Sequence, residues 1–320
     1  DGRGIYLIAP FEDDYARLQY LDPVANTLRP LTAEIPWDIE SFAVSPDGRY
    51  LAFVANVAGV SRLTVIDQIA RNELAPADLP AGRIANLAFD HAGGRLAMTA
   101  GSATQPPDAY VYEPATHTLT RWTQSEPGPI DPAAFVTPEL ISFPTWDRVN
   151  GSARTLPAWV YKPRTPGPHP VLVRIASGPD EQGRPGFDAF TQLTVNVLGY
   201  AVVAPNVRGA AGYGRSFALL GDSRREDAIR DIGSLLVWIG VQRDLDRSRV
   251  ARAVQRPGGR RPRSVGRRFM GPHPECARAA QAPPRGARRG GLDRPGVRRG
   301  ASRGKRPRQR RRSLVSGHER

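Results

Sequence analysis

The chain of 320 residues carries 45 Lys and Arg against 31 Asp and Glu, a formal net charge of +14, and one cysteine, Cys276. A lone cysteine excludes an intrachain disulfide framework and any multi-cysteine metal site, and no apolar run approaches the roughly 18 residues of a membrane helix. The basic excess is local: residues 1–250 hold 23 basic and 28 acidic side chains, whereas residues 251–320 hold 22 and 3. The length leaves room for two domains, and the cysteine usage is compatible with a reducing cytoplasm.

From the start, residues 1 to 125 repeat themselves. Phe42-Ala43-Val44-Ser45-Pro46-Asp47-Gly48, leading to Leu51-Ala52-Phe53, returns 45 residues later as Leu87-Ala88-Phe89-Asp90-His91-Ala92-Gly93, leading to Leu96-Ala97-Met98. Asp1 to Ile8 aligns in the same way with Asp47 to Val54. A period near 45 with tight turns between alternating strands predicts four-stranded β-propeller blades, about two and a half of them. Unrelated hairpins of a sandwich are the alternative. Because the first copy begins in mid-hairpin and a propeller needs about four blades to close, the pattern reads as part of a longer array with open edges.

Residues 126–168 are rich in proline and read as a linker with a lead-in hairpin, its strands over Glu139 to Thr145 and Leu156 to Lys162. Val171 to Ile175 and Ala201 to Ala204 are short apolar runs without alternation, as strands covered on both faces require. Between and beyond them the sequence predicts a helix over 224–240. Ser223 and Glu226 would form a capping box, and Ile229, Ile232, Leu235, Leu236 and Ile239 a sheet-facing stripe. A third strand begins at Arg249-Val250-Ala251. Strand, helix, strand succession predicts a largely parallel sheet with right-handed crossovers.

The stretch NVRGAAGYGRSF from Asn206, followed by REDAIRDIGSLLVWI and LDRSRVA, resembles the prolyl oligopeptidase family of serine peptidases, in particular its bacterial acylaminoacyl-peptidase-like branch. HPVLVRIASGPDEQGRPGF, residues 169–187, is similar to the family's first hydrolase strand and the loop after it. The resemblance implies propeller blades followed, over 169–251, by the first part of an α/β-hydrolase domain. It also implies a Ser-Asp-His triad that works on short peptides or acyl-amino acids without a metal or organic cofactor. In the family the loop after the first hydrolase strand supplies an oxyanion-hole donor; the matching place here is Ala176, which has no side-chain donor, with Ser177 beside it as a substitute or simply a turn serine.

In the resembled family the nucleophile elbow, G-x-S-x-G, falls within about ten residues of the start of this third strand. Instead the chain continues Arg252-Ala253-Val254-Gln255-Arg256-Pro257-Gly258-Gly259, with a charge where a central strand should be apolar. Residues 251–320 contain 21 Arg, 11 Gly and 8 Pro without periodicity. Such a segment has too little aliphatic surface to offset its ordering entropy, so 252–320 is expected to be a disordered basic tail. Its one elbow match, Gly300-Ala301-Ser302-Arg303-Gly304, lacks a strand before it and a helix after it, and only His318 follows as a base. The composition is that of a G+C-rich gene read out of frame, which predicts a frameshift near Ala251.

On this reading the chain as written lacks nucleophile, acid and base. His91, His117 and His169 read as surface positions, Asp180 with Glu181 as a loop pair, and Arg208 as a structural ion-pair residue. The tail predicts non-specific adhesion to polyanions. The rival readings are a non-catalytic propeller-type interaction protein and an esterase of the same hydrolase fold.

Overall fold

The computed structural model describes residues 4–10, 14–74, 78–128, 130–176, 181–221 and 225–254. By its contacts the chain divides into residues 1–282 and 283–320, and every described residue lies in the first unit. Ser177, Asp180, Ser223, the Gly300–Gly304 match, His318 and the tail beyond Val254 lie outside the described residues.

The first 125 residues form three antiparallel meanders. The first contains β1 (Ile5–Pro10), β2 (Ala16–Asp22) and β3 (Thr27–Pro30). The second contains β4 (Ile39–Val44), β5 (Tyr50–Val57), β6 (Val60–Asp67) and β7 (Asn72–Glu73). The third contains β8 (Gly82–Phe89), β9 (Leu96–Ser102), β10 (Asp108–Glu113) and β11 (Thr118–Arg121). The repeat aligns β1 with β5, so the first meander has no described counterpart of β4.

Two recurring turns produce this regularity. Between β4 and β5 the amide of Gly48 donates to Ser45 O at 2.8 Å, and between β8 and β9 that of Gly93 donates to Asp90 O at 3.0 Å. Both glycines have positive φ, 73° and 76°, which an L side chain adopts only with strain. The last connection of each meander starts at an acid, Asp22, Asp67 or Glu113, and ends in a left-handed residue, Asn26, Arg71 or His117. Asp22 and Asp67 each accept two backbone amides there, at 2.9–3.0 Å, satisfying donors that the tight turn would leave unpaired.

Strand β5 shows how the meanders stack. Tyr50, Ala52 and Val54 point into a core with Ile84, Leu96, Met98, Tyr110 and Tyr112 of the third meander. Leu51, Phe53 and Ala55 point the other way, against Leu18 of the first. A period-2 pattern apolar on both faces is what a sheet packed between two others requires.

The rest of the described chain builds one five-stranded sheet. β12 (Glu139–Val149) and β13 (Ser152–Tyr161) form the hairpin; then come β14 (His169–Ile175), α1 (Ala189–Asn196), β15 (Ala201–Pro205), α2 (Arg215–Leu219), α3 (Arg225–Val241) and β16 (Leu245–Val254). The spatial order is β12-β13-β15-β14-β16, with β13 antiparallel to β15, and β14 parallel to both β15 and β16. Ala201 and Val203 face the α3 side with Leu235 and Ile239, while Val202 faces the α1 side with Val195, so β15 is covered twice. No helix among the described residues is long and apolar enough to cross a membrane.

Three expectations need correction. Ile229 and Leu236 are not on the buried stripe of α3: they are 70% and 39% exposed, and the buried line runs through Asp227, Asp231, Leu235 and Ile239 at four-residue spacing. Two acids occupy that line because Arg208 meets them there. Where the sequence reading put Arg252 in a central strand, β16 is the edge of the five described strands, and Arg252 is exposed on it. His169 is buried rather than on the surface, its Nε2 2.9 Å from Thr165 O.

Candidate functional site

Ligands of parallel α/β sheets bind beyond the carboxyl ends of the strands, where loops converge and backbone groups are free to point outward. Here those ends are Ile175 of β14 and Pro205 of β15, which are followed by the loop through residue 187 and by the Asn206-to-Gly214 segment. Ala176 is half-buried at the start of the first loop.

Asn206 holds the two loops together. Its side chain, 1% exposed, accepts from Gly183 N at 2.6 Å and donates to Gly183 O at 3.0 Å, so one amide pairs with both backbone groups of one residue. Its Nδ2 also donates to Tyr213 Oη at 3.1 Å. Burial pushes the Tyr213 hydroxyl up to about 12, against hydrogen bonds with Gln182 and Asn206 that act the other way. Tyr213 therefore remains a neutral donor and acceptor throughout the physiological range. Its ring packs edge-on to Trp37, centroids 6.3 Å apart. Gly212, at φ 83°, allows this close approach: a Cβ there would run into the side-chain amides of Gln182 and Asn56.

The second meander reaches the same loop. Asn56 Nδ2 donates to Gln182 Oε1 at 2.7 Å. Arg184 donates from Nε to Gly59 O at 2.9 Å and from a terminal nitrogen to Ser61 Oγ at 2.9 Å, and it forms an ion pair with Glu40.

Beneath the site, Arg208 is 4% exposed and binds Asp231 through two bonds of 2.8 and 2.6 Å and Asp147 at 3.0 Å, with its guanidinium 5.1 Å from the Trp146 ring. Burial works against its charge, but Asp231 and Asp147 outweigh that and hold the guanidinium above its usual range. With every side saturated by protein groups, Arg208 is a structural ion-pair residue, and no face of it is left for a substrate.

The described histidines do not join this assembly. His91 is exposed in a turn, His117 Nδ1 lies 3.3 Å from Tyr112 Oη, and His169 begins β14, at the end opposite Ala176. What the site assembles is therefore amides, a neutral phenol and backbone groups, which position and bind. Sequence reasoning did not single out Asn206, Gln182, Arg184 or Tyr213 as a set. The local signal was Gly212-Tyr213-Gly214, a large polar ring between two residues of unrestricted φ.

No family model matches the chain, and no curated protein matches it in sequence. Among solved structures it is similar to a puromycin hydrolase, at 19% identity and TM-score 0.65 over 78% of this chain and 39% of that one. It is also similar to an acylaminoacyl peptidase of Pyrococcus horikoshii, at 21% identity and TM-score 0.59 over 79% and 39%. A puromycin-hydrolyzing peptidase of Mycobacterium tuberculosis matches at 19% identity and TM-score 0.63 over 79% and 40%. The chain thus spans about two fifths of the length of these structures. At such identity the likeness is one of fold, and over the matched region this chain has the fold of these peptidases.

Proposed function

We propose that the chain carries propeller blades and the first part of an α/β-hydrolase domain of a serine peptidase in the prolyl oligopeptidase family. The intact enzyme would hydrolyse short peptides or acyl-amino acids. The observation that carries this reading is the join at the end of β15. The stretch from Asn206 that resembles the family lies beyond the carboxyl end of a parallel strand, bonded to the loop that follows β14, within a fold shared with peptidases. The proposed division is blades over 1–125, linker and hairpin over 126–168, hydrolase part over 169–251, and basic tail over 252–320. β16 itself runs on to Val254.

In such an enzyme a serine attacks the carbonyl, an acyl-enzyme forms, and backbone donors stabilise the oxyanion. No metal or organic cofactor enters. The loop after β14 is the place for those donors. With Ala176 there, a side-chain donor is lost, a change that typically lowers turnover by roughly 100- to 1000-fold unless Ser177 replaces it. The chain as written is proposed to be inactive, because the strand that should lead into the nucleophile elbow gives way to an arginine-rich sequence. A shift of reading frame near Ala251 accounts for that change. The tail's 22 cationic side chains then act only as a non-specific polyanion binder.

The coding DNA tests this directly. One of the other two frames should restore G-x-S-x-G just after Val250; its absence from both overturns the frame proposal. A frame-restored gene, assayed on p-nitroanilide and p-nitrophenyl substrates, should cleave the former. Cleavage of the esters alone makes the enzyme an esterase.

A further inference from the structure

We infer that the outward face of α3 is an interface for a second copy of this chain, joined as a two-fold antiparallel helix pair. The inference does not depend on the chemistry proposed above. The helix is apolar on two opposite sides. Asp227, Asp231, Leu235 and Ile239 are buried on the sheet side, and on the far side Ile229, Leu236, Val237 and Val241 are 70%, 39%, 60% and 72% exposed. At about 3.6 residues per turn, Ile229, Gly233, Leu236 and Gly240 fall within one narrow stripe along that far side. The basic side chain beside the stripe is turned away from it: Arg230 pairs with Asp227 at 3.3 Å and lies over the Trp146 ring, 4.8 Å from its centroid.

Glycine inside a helix is unfavourable relative to alanine, and this chain's own packing requires it at neither position. A Cβ on Gly233 would meet nothing within 4 Å, and one on Gly240 only Arg247 Cδ at 4.0 Å, an ordinary contact. The two glycines leave hollows in the exposed stripe, and the two knobs beside them have the same spacing. Ile229 and Leu236 are seven residues apart, and so are Gly233 and Gly240. In an antiparallel two-fold pair, seating Leu236 on the partner's Gly233 also seats Ile229 on the partner's Gly240. The same register brings Glu226, in the first turn of the helix, against the partner's Arg243, just past its end. Both side chains are exposed, and neither has a partner among the described residues. Shape and charge are matched by one register, so the face is complementary to itself, which favours a second copy over an unrelated protein. Glycine at the contact lets the two axes approach to about 8 Å. The 17 residues of α3 span about 25 Å, and one helix pair of that length is at the small end of specific interfaces. The dimer is therefore reversible, with a Kd of roughly 10 to 100 µM.

The test is sedimentation equilibrium of the nuclease-treated 320-residue chain over about 1 to 300 µM, a range that brackets the expected Kd. A monomer–dimer equilibrium is expected. Leu236→Ala and Gly233→Leu should each weaken it by about tenfold or more, because each change occurs twice in the pair. Gly233→Leu is the sharper of the two: it adds apolar surface and a better helix former, so it would strengthen non-specific adhesion, yet it fills the hollow that Leu236 needs. Since a Cβ at Gly233 meets open space, its far-UV circular dichroism should be that of the parent chain. Glu226→Arg and Arg243→Glu should each weaken the dimer, and the two together should restore it to within about threefold of the parent. That exchange of charges involves surface side chains alone and is read independently of the glycine variant. A chain still monomeric at about 300 µM overturns the inference, and this is the result expected if the arginine-rich tail or another protein covers the face. So does a dimer that Gly233→Leu strengthens or leaves unchanged, or one that the double charge exchange fails to restore.

Discussion

Arg208 gathers the carboxylates of Asp231 and Asp147 around one guanidinium, and Asp231 is wholly buried. Removing one partner of a buried pair leaves an uncompensated charge, so Arg208→Ala should cost about 3–5 kcal/mol in urea unfolding, while Arg208→Lys should recover only part of the loss. A stability unchanged by Arg208→Ala would mean that the cluster is not formed. The same cluster predicts a pH dependence. Burial alone would raise Asp147, but hydrogen bonds from Thr145, Arg154 and Arg208 outweigh it and hold the carboxyl at about 2. Asp108 is likewise at about 2, its burial outweighed by Thr123, Arg121 and Ser125. Both native values lie below the unfolded value, so the stability they contribute is present above the ordinary carboxylate range and lost as pH falls through about 2. The urea midpoint should therefore drop most steeply below about pH 4, and Asp147→Asn should flatten that limb of the profile.

The helix α3 separates what its residue pattern could tell from what it could not. Its extent, Arg225–Val241, lies within a residue of the periodic reading, but its buried line runs through Asp227 and Asp231 and leaves Ile229 in solvent. Hydrophobicity predicted the stripe at Leu235 and Ile239 and missed its continuation, because two acids count as wet unless their cation, some twenty residues upstream in the chain, is known to be buried with them. Leu235→Ala and Ile239→Ala should each cost about 2–5 kcal/mol, whereas Ile229→Ala should stay within about 0.5 kcal/mol. Equal costs at 229 and 235 would restore the simpler stripe. The meanders were more legible: Pro46-Asp47-Gly48 and Ala92-Gly93 announce their turns through glycines that the backbone needs at positive φ, and β5 shows its two-sided burial as the apolar run Tyr50 to Ala55. The candidate site was legible only in part. Its first strand and loop were located, but Arg184 and Glu40 stand 144 residues apart, and no local pattern records a bond of that span.

Taken as one molecule, the chain gathers at the ends of β14 and β15, the place proposed for acyl transfer, groups that hold rather than react. Amides and backbone at Asn206, Gln182 and Gly183 converge beyond the ends of β14 and β15, and the three described histidines lie elsewhere. A serine hydroxyl far from any base is a poor nucleophile at neutral pH; attack requires a neighbouring group to take its proton and a third to orient that group. A fluorophosphonate reports that activation, because it is displaced only by an activated serine. The 320-residue chain should therefore show no stoichiometric labelling, while a frame-restored chain should label at about one site per molecule and lose the label when the serine of its elbow is changed to alanine. Stoichiometric labelling of the chain as written, mapped to Ser177 or Ser302, would reverse the conclusion, because it would show that a base and an orienting acid reach one of those hydroxyls without the elbow that the strand after α3 ought to supply.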